Sequence, residues 1–167
     1  KQNPNDIALA KKIFGFMLNG KCTDDPLWLE VGEAIHQVEK DYGLAKNIGV
    51  RYLSNDNMPK AEQYLKEALT LAKEPADKAE VLIYQGQIKA RSDKPAARAL
   101  FRQALEANPG NKLAYEKIGD LYYQSFDACA KKVNMADDRL VYCLAADYYQ
   151  KAGDAQKVGN AKAAFPS

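Results

Sequence analysis

The sequence predicts an all-α protein in which successive helices form antiparallel pairs. Alternating apolar and polar residues never persist over five positions with the β-branched enrichment that strands require. Apolar residues recur instead at three- and four-residue spacing, the period of one helical face, over segments of about 11 to 20 residues. Turns of about four residues separate these segments, and connections this short are typical of stacked antiparallel helices.

Capping and helix-breaking residues define four segments in the first half of the chain. Asp6 can cap the first segment, and Gly20 suits the left-handed conformation that ends a helix. Asp25-Pro26 combines a cap with a first-turn proline, whose missing donor costs nothing there. Tyr42-Gly43 breaks the second segment, and Pro59 opens the fourth. These signals predict helices over about 6–19, 26–40, 44–53 and 59–73.

Similar signals divide the second half of the chain. Residues 74–77 interrupt the pattern, and residues 92–95 repeat the cap followed by proline. Residues 108–111 form the next turn, Val133-Asn134 is the first breaker after it, and Gly153-Asp154 is the last. These signals predict helices over about 78–91, 95–107, 112 to as far as 129, 137–152 and 154–164.

Small residues recur at matched positions in these helices. Gly49, Gly86 and Gly119 follow one another at offsets of 37 and 33 residues. The helices after the first two glycines carry a large apolar side chain between two alanines, as Ala61, Leu65 and Ala68 and as Ala97, Phe101 and Ala104. Each such triplet shares one helical face, where the small residues permit the close approach of a neighbouring helix.

These motifs resemble the tetratricopeptide repeat (TPR), a helix-turn-helix unit of about 34 residues. The resemblance is close over residues 44–123 and implies a right-handed α-α superhelix, a TPR-like solenoid. We expect one repeat domain over residues 1–167, excised from a longer protein. Its four helix pairs and its terminal capping helix are expected at about 6–40, 44–73, 78–107, 112–152 and 154–164.

A second resemblance concerns the C-terminal part of the chain. Residues 146–154, with the sequence Ala-Asp-Tyr-Tyr-Gln-Lys-Ala-Gly-Asp, resemble the repeat region of large exported TPR proteins of Bacteroidetes-type bacteria. This resemblance implies a periplasmic or exported protein. The composition itself leaves the compartment open.

The charge pattern describes a solvated surface. The chain carries 24 basic and 22 acidic residues, a net charge of +2, and the two signs are interleaved. This pattern argues against nucleic acid as the main partner, which would favour a stripe of one sign. The longest apolar stretches are far shorter than the roughly 20 residues that span a bilayer, so we expect no membrane span in this segment.

The three cysteines are too few and too scattered for a disulfide scaffold or a zinc site. Cys129 and Cys143 fall at similar heights on two consecutive predicted helices, so they are a candidate disulfide pair. The alternative is two buried free thiols. Cys22 is left unpaired in either case.

No constellation predicts catalysis. His36 is the sole histidine, and Glu33 precedes it by three residues, as in half of a carboxylate di-iron site. The second such pair is missing, so we interpret His36 as a surface or half-buried residue. No candidate nucleophile has a histidine base, and no glycine-rich phosphate loop opens a helix. We therefore expect no enzyme activity, no cofactor and no metal site.

The family resemblance implies that the first helices of successive pairs line a concave groove that contacts the ligand. Counting from the three glycines places nine residues in this groove, and Tyr84 lies beside them. The predicted groove residues are Lys46, Val50, Leu53, Ile83, Tyr84, Gln87, Arg91, Glu116, Asp120 and Tyr123.

Three functional hypotheses follow. The first is a non-catalytic scaffold that binds a peptide or helix of a partner protein in the groove. The second is a small-ligand or glycan-binding accessory domain of a periplasmic or surface nutrient system, with Tyr84 and Tyr123 as stacking platforms. The third is a spacer within a longer repeat array. The partner's identity and the oligomeric state do not follow from the sequence.

Overall fold

A computed structural model describes residues 6–130 and 132–165 of the chain, with the side chain of Cys129 outside the description. The described residues contain helices and turns and no strand, which confirms the all-α prediction. The helices are α1 Ile7–Asn19, α2 Pro26–Val38, α3 Tyr42–Ser54, α4 Met58–Leu71, α5 Pro75–Lys89, α6 Lys94–Ala107, α7 Lys112–Tyr123, α8 Phe126–Cys129, α9 Met135–Asp138, α10 Leu140–Ala152 and α11 Ala155–Ala164. None of these helices is long and apolar enough to cross a membrane.

The helices form two compact units, with the division between Lys73 and Glu74. In the first unit, α1 packs against α2, α3 packs against α4, and α2 also contacts α3. In the second unit, α5 packs against α6, α7 packs against α10, and α11 packs against α10. The short helices α8 and α9 lie in the connection between α7 and α10.

Asparagine and aspartate side chains start most of the helices as predicted, but several predicted bounds are wrong. Asp41 caps α3 by accepting a 2.8 Å hydrogen bond from the Leu44 amide, so Tyr42-Gly43 begins this helix and does not break it. The first turn of α5 contains Pro75, so residues 75–77 belong to the helix. Helix α7 ends at Tyr123, well before Cys129, and the separate turn α9 precedes α10.

Each glycine of the repeated pattern accepts a large side chain from the second helix of its pair. A Cβ atom on Gly49 would lie 2.8 Å from Cγ of Leu65, and one on Gly119 would lie 2.6 Å from Cε1 of Tyr149. The alanines on either side of Leu65 and of Phe101 are fully buried. Close packing of the two helices in a pair therefore depends on these small residues.

Glu33 is the centre of a polar network in the first unit. Its Oε1 accepts hydrogen bonds from the hydroxyls of Tyr52, at 2.6 Å, and Tyr64, at 3.1 Å, and from Nζ of Lys60, at 3.2 Å. Burial alone would raise the pKa of Glu33, but these hydrogen bonds outweigh it and lower the pKa. Burial and the Glu33 carboxylate raise the pKa of Tyr64 to about 12. The network joins α2 to α3 and α4.

His36 is buried, which corrects its expected surface or half-buried position. Its side chain is 1% exposed, and its Nε2 lies 3.0 Å from Oε2 of Glu67. The Lys40 ammonium donates to the same oxygen at 2.8 Å, and together the two partners lower the pKa of Glu67. His36 and Glu33 thus bind different groups and do not form a shared site. His36 is part of the contact between α2 and α4.

Candidate functional site

Three of the predicted groove residues form a continuous stripe on α7. Glu116, Asp120 and Tyr123 are separated by four and three positions, so they share one face of the helix. The two acids are half-buried, and Tyr123 is 36% exposed. We call these three residues the α7 stripe.

A lysine from α11 binds both acids of the α7 stripe. The Nζ of Lys157 lies 2.6 Å from Oε1 of Glu116 and 2.9 Å from Oδ1 of Asp120. The Nζ of Lys117 lies 3.5 Å from the other carboxylate oxygen of Asp120. All four charged side chains are between 22% and 32% exposed, so water screens them less than it screens a fully exposed pair.

Tyr149 of α10 also belongs to this cluster, because it contacts both Asp120 and Lys157. Its hydroxyl donates a 3.0 Å hydrogen bond to Oδ1 of Asp120, and its ring lies 5.4 Å from the Lys157 ammonium. Burial of the side chain and the Asp120 carboxylate both raise the pKa of Tyr149, which is 3% exposed. For Lys157, burial acts to lower the pKa, but the hydrogen bonds to Glu116 and Asp120 outweigh it and raise the pKa. Both groups therefore hold their protons firmly.

Tyr123, at the other end of the stripe, belongs to a series of packed rings. Its ring centroid lies 5.2 Å from that of Tyr142 and 6.5 Å from that of Tyr149. The ring of Phe126 stacks on that of Tyr142, with the two ring centroids 5.3 Å apart. The surrounding segment, residues 123–144, contains five exposed large apolar residues, which are Tyr123, Val133, Met135, Leu140 and Leu144. Helices α3 to α6 expose no residue of this kind, whereas α1 and α2 together expose four, which are Phe16, Leu18, Leu27 and Val38.

The remaining predicted groove residues of the second unit lie on α5 or just after it. Ile83 is 1% exposed, so it is a core residue, and its placement in a groove is wrong. Helix α5 packs against both α6 and α7, which explains why its buried face is broader than the repeat pattern predicts. Tyr84 and Gln87 are half-buried, and Arg91 is exposed and engaged in an interaction within the chain.

The three predicted groove residues of the first unit all lie on α3. Val50 and Leu53 are half-buried, as is Lys46. The Lys46 ammonium lies 5.5 Å from the ring centroid of Tyr42. These residues belong to a different unit from the α7 stripe, so their role as partner contacts stays a prediction.

The cysteines give no support to a disulfide. Cys22 and Cys143 are exposed and form no disulfide with a described residue, and the side chain of Cys129 lies outside the described residues. The pairing of Cys129 with Cys143 stays a prediction, which alkylation with and without reductant would test. Among the described side chains, no group of three or more histidine, cysteine or acidic residues is arranged to hold a metal ion.

Three residues of the cluster, Lys117, Tyr149 and Lys157, were not predicted as site residues. A signal for Tyr149 exists in the sequence, because Ala145, Tyr149 and Ala152 repeat the spacing of Ala97, Phe101 and Ala104. All three are buried. No comparable signal points to Lys157, whose contacts with the stripe span 41 and 37 positions.

Comparison with known proteins supports the fold. No protein-family model and no curated protein sequence matches this chain. Two crystal structures of MamA each give a TM-score of 0.58, at 16% and 17% identity, and cover 95% and 92% of this chain and 89% and 92% of their own. A human IFIT1 dimer with PPP-AAAA gives 0.57 at 16% identity, over 96% of this chain and 41% of its own.

These neighbours are TPR-like helical repeat proteins, so this chain has a TPR-like fold. At such low identity the likeness extends to the fold alone. It gives no support to an origin among exported proteins of Bacteroidetes-type bacteria. The exclusion of nucleic acid as a partner is also unsupported, because the IFIT1 structure with PPP-AAAA shares this fold.

Proposed function

We propose that this chain is a non-catalytic protein-interaction scaffold whose second unit binds a segment of another protein along the α7 stripe. The observation that carries this proposal is the exposed Tyr123 packed beside Tyr142, in a segment (residues 123–144) whose described side chains include four more exposed large apolar residues. Grouped apolar side chains at a surface are typical of interaction sites, and tyrosine is frequent among the residues that dominate binding.

The charges beside Tyr123 fit the same function. Glu116 and Asp120 continue the stripe away from the apolar segment, and both are half-buried and hydrogen-bonded. An apolar centre next to ordered polar groups is the usual composition of a protein interface. The proposed lack of catalysis is supported by His36, which lies buried in the first unit with its Nε2 held by Glu67.

Site-specific photocrosslinking in the native cells tests this function. A benzophenone amino acid is placed at Tyr123 and, as a control, at Gln103, which is exposed on α6. We expect position 123 to yield one or a few discrete protein adducts that position 103 does not. Equal adduct patterns at both positions would contradict the proposal.

The same experiment separates a protein partner from a nucleic acid. We expect protease to digest the crosslinked adducts and nuclease to leave them intact. A purified partner should then bind Tyr123→Ala at least tenfold more weakly than the wild type, because truncating a central aromatic contact costs about 1.4 kcal/mol or more. Nuclease-sensitive adducts would instead favour nucleic acid.

Glycan binding remains the alternative function. It would use the faces of Tyr84 and Tyr123, but Tyr84 is half-buried and the ring of Tyr123 packs against Tyr142 and Tyr149. Calorimetry with glycan and peptide pools distinguishes the two functions. Heat released with glycans by the wild type and lost in Tyr123→Ala would favour the alternative.

A further inference from the structure

We propose that the surface of α7 and α10 beneath α11 is a receptor for a basic amphipathic helix of a partner, and that α11 is its resident occupant. This inference rests on the proposed function and specifies the chemistry of the partner. Four features of the second unit support it: the small apolar contact of α11, an open gap beside it, a pair of acids that α11 neutralises, and a short connection that contains a glycine.

The first feature is the small apolar contact that α11 makes. Ala161 is the single fully buried residue of this helix, and Val158 packs partly against Ala145, Ala146 and Tyr149. A helix of 10 residues is marginal in water by itself, so its folding depends on this contact. Gly159 lies in the middle of α11 and lowers its helical propensity further. These properties make α11 easier to displace than α10, the helix against which it packs and which has four buried residues.

The second feature is a gap between α10 and α11. It has a volume of about 210 Å³ and is lined by Tyr142 and Ala146 on one side and by Ala161 and Phe165 on the other. The gap is open to solvent on one side, so it is a surface cleft in which α11 leaves apolar area of α10 uncovered. A partner helix with a larger apolar side chain at this position would fill the gap and gain contacts that α11 lacks.

The third feature is the charge of the uncovered surface. Glu116 and Asp120 both accept hydrogen bonds from the Lys157 ammonium, and removing α11 would leave Lys117 as their remaining ion-pair partner among the described residues. Two half-buried carboxylates favour a lysine or arginine in the same place. In α11 the buried alanine follows the lysine by four positions. The partner helix should therefore carry a basic residue followed four positions later by an apolar residue, and one larger than alanine would also reach into the gap.

The fourth feature is the connection that joins α11 to α10. It consists of Gly153, which has a left-handed φ of 79°, and Asp154, which caps α11 through the Lys157 amide. Glycine adopts this φ without strain and also has access to many other conformations. Rotation at Gly153 would let α11 leave the surface while α10 stays in place.

The test uses the full chain, two variants and a labelled peptide. Lys157→Glu places a carboxylate against Glu116 and Asp120, so it should release α11. Gln156→Glu adds a carboxylate at the neighbouring, exposed position of the same helix, and this position does not line the gap. Hydrogen exchange of the α11 amides measures the release, and circular dichroism checks that the other helices remain folded. The probe is a fluorescent peptide with the sequence of residues 152–165, measured by anisotropy.

We expect the α11 amides to exchange at least tenfold faster in Lys157→Glu than in the wild type or in Gln156→Glu. The peptide should bind Lys157→Glu at least tenfold more tightly than it binds the other two chains, because its own α11 no longer competes. A peptide with the Lys157→Glu change should bind none of them. Raising the salt concentration should weaken the binding, since screening reduces the attraction between the charges.

Two results would overturn this inference. One is unchanged exchange of the α11 amides in Lys157→Glu, which would show that Lys157 does not hold the helix. The other is release of α11 without tighter peptide binding, which would show that the uncovered surface is no receptor. Neither result affects the crosslinks at Tyr123, so failure of this inference remains distinguishable from failure of the proposed function.

Discussion

Gly86 of α5 and Phe101 of α6 are in contact so close that a Cβ atom at position 86 would lie 2.3 Å from Cε1 of the phenylalanine ring. Phe101 is 1% exposed and has neighbours on every side, so its ring cannot move away. This contact sets the distance between the two helices of the pair. It also makes Gly86 a position where the smallest substitution has a large effect.

Gly86→Ala should therefore destabilise the second unit. Overpacking costs about 1–3 kcal/mol or more, which should exceed the gain of about 1 kcal/mol from replacing a helical glycine with alanine. Gly159→Ala is the matched control, because no atom lies within 4 Å of its expected Cβ position. We expect urea titrations followed by circular dichroism to show a loss of stability for the first variant and a small gain for the control.

Phe101, the residue that Gly86 contacts, provides a second check of this prediction. Phe101→Leu removes ring atoms that the new methyl group would overlap. The double variant should therefore be more stable than the sum of the two single effects predicts. Strict additivity would argue against a direct contact between residues 86 and 101.

His36→Leu should change the free energy of unfolding of the first unit by less than about 1 kcal/mol, since leucine fills a similar volume. The Nδ1 of His36 is buried and has no hydrogen-bond partner among the described residues, so leucine removes an unfavourable polar atom. Glu67 retains its 2.8 Å contact with Lys40. By comparison, His36→Ala should cost about 2–4 kcal/mol because it leaves a cavity. If both variants lose the same amount of stability, the contact with Glu67 matters more than packing.

The stability of the first unit should fall in acid because of Glu33. Its pKa is lowered from the usual 4.5 in the folded chain, so the carboxylate stabilises the fold above that pH. This contribution is lost as the pH falls below 4.5 through the lowered pKa. In Glu33→Gln the free energy of unfolding should be smaller at neutral pH and should fall less steeply below pH 4.5. Glu30→Gln, on an exposed position of the same helix, should keep the slope of the wild type.

Tyr149→Phe should destabilise the contact between α7 and α10 by about 1–2 kcal/mol, the usual effect of losing a buried hydrogen bond to a charged group. The hydroxyl donates to Asp120, and the rest of the ring keeps its place against Gly119. Tyr148→Phe is the control on the same helix, and we expect it to stay within about 0.5 kcal/mol of the wild type. Urea titrations measure both. Equal effects of the two variants would contradict a specific role for the Tyr149 hydroxyl.

The sequence predicts the fold class and the helix pairing because both depend on short-range signals. Asp6, Asp25 and Asp93 each accept the capping hydrogen bond that the sequence leads us to expect. The start of α5 is missed because Glu74 makes no side-chain capping bond and Pro75 resembles a break. Ile83 is misplaced because its burial depends on two neighbouring helices at once.

The candidate site is less predictable from the sequence, because part of it depends on contacts between residues that are distant along the chain. Glu116, Asp120 and Tyr123 follow from helical spacing within α7. Lys157 lies about forty positions from its two partners, and its contact with them depends on where α11 packs. A sequence pattern can show that a helix has a polar residue at a position. It cannot show which distant charge that residue will contact.

Trp28 gives the first unit a spectroscopic signature that the second unit lacks. It is the sole tryptophan of the chain, it belongs to the first unit, and it is buried against Phe14 with the ring centroids 5.1 Å apart. Selective excitation of its indole therefore reports the environment of α1 and α2 alone. Helix content, by contrast, is measured over the whole chain. Indole emission and helix content recorded in one titration will thus reveal whether the first unit unfolds with the second or independently of it.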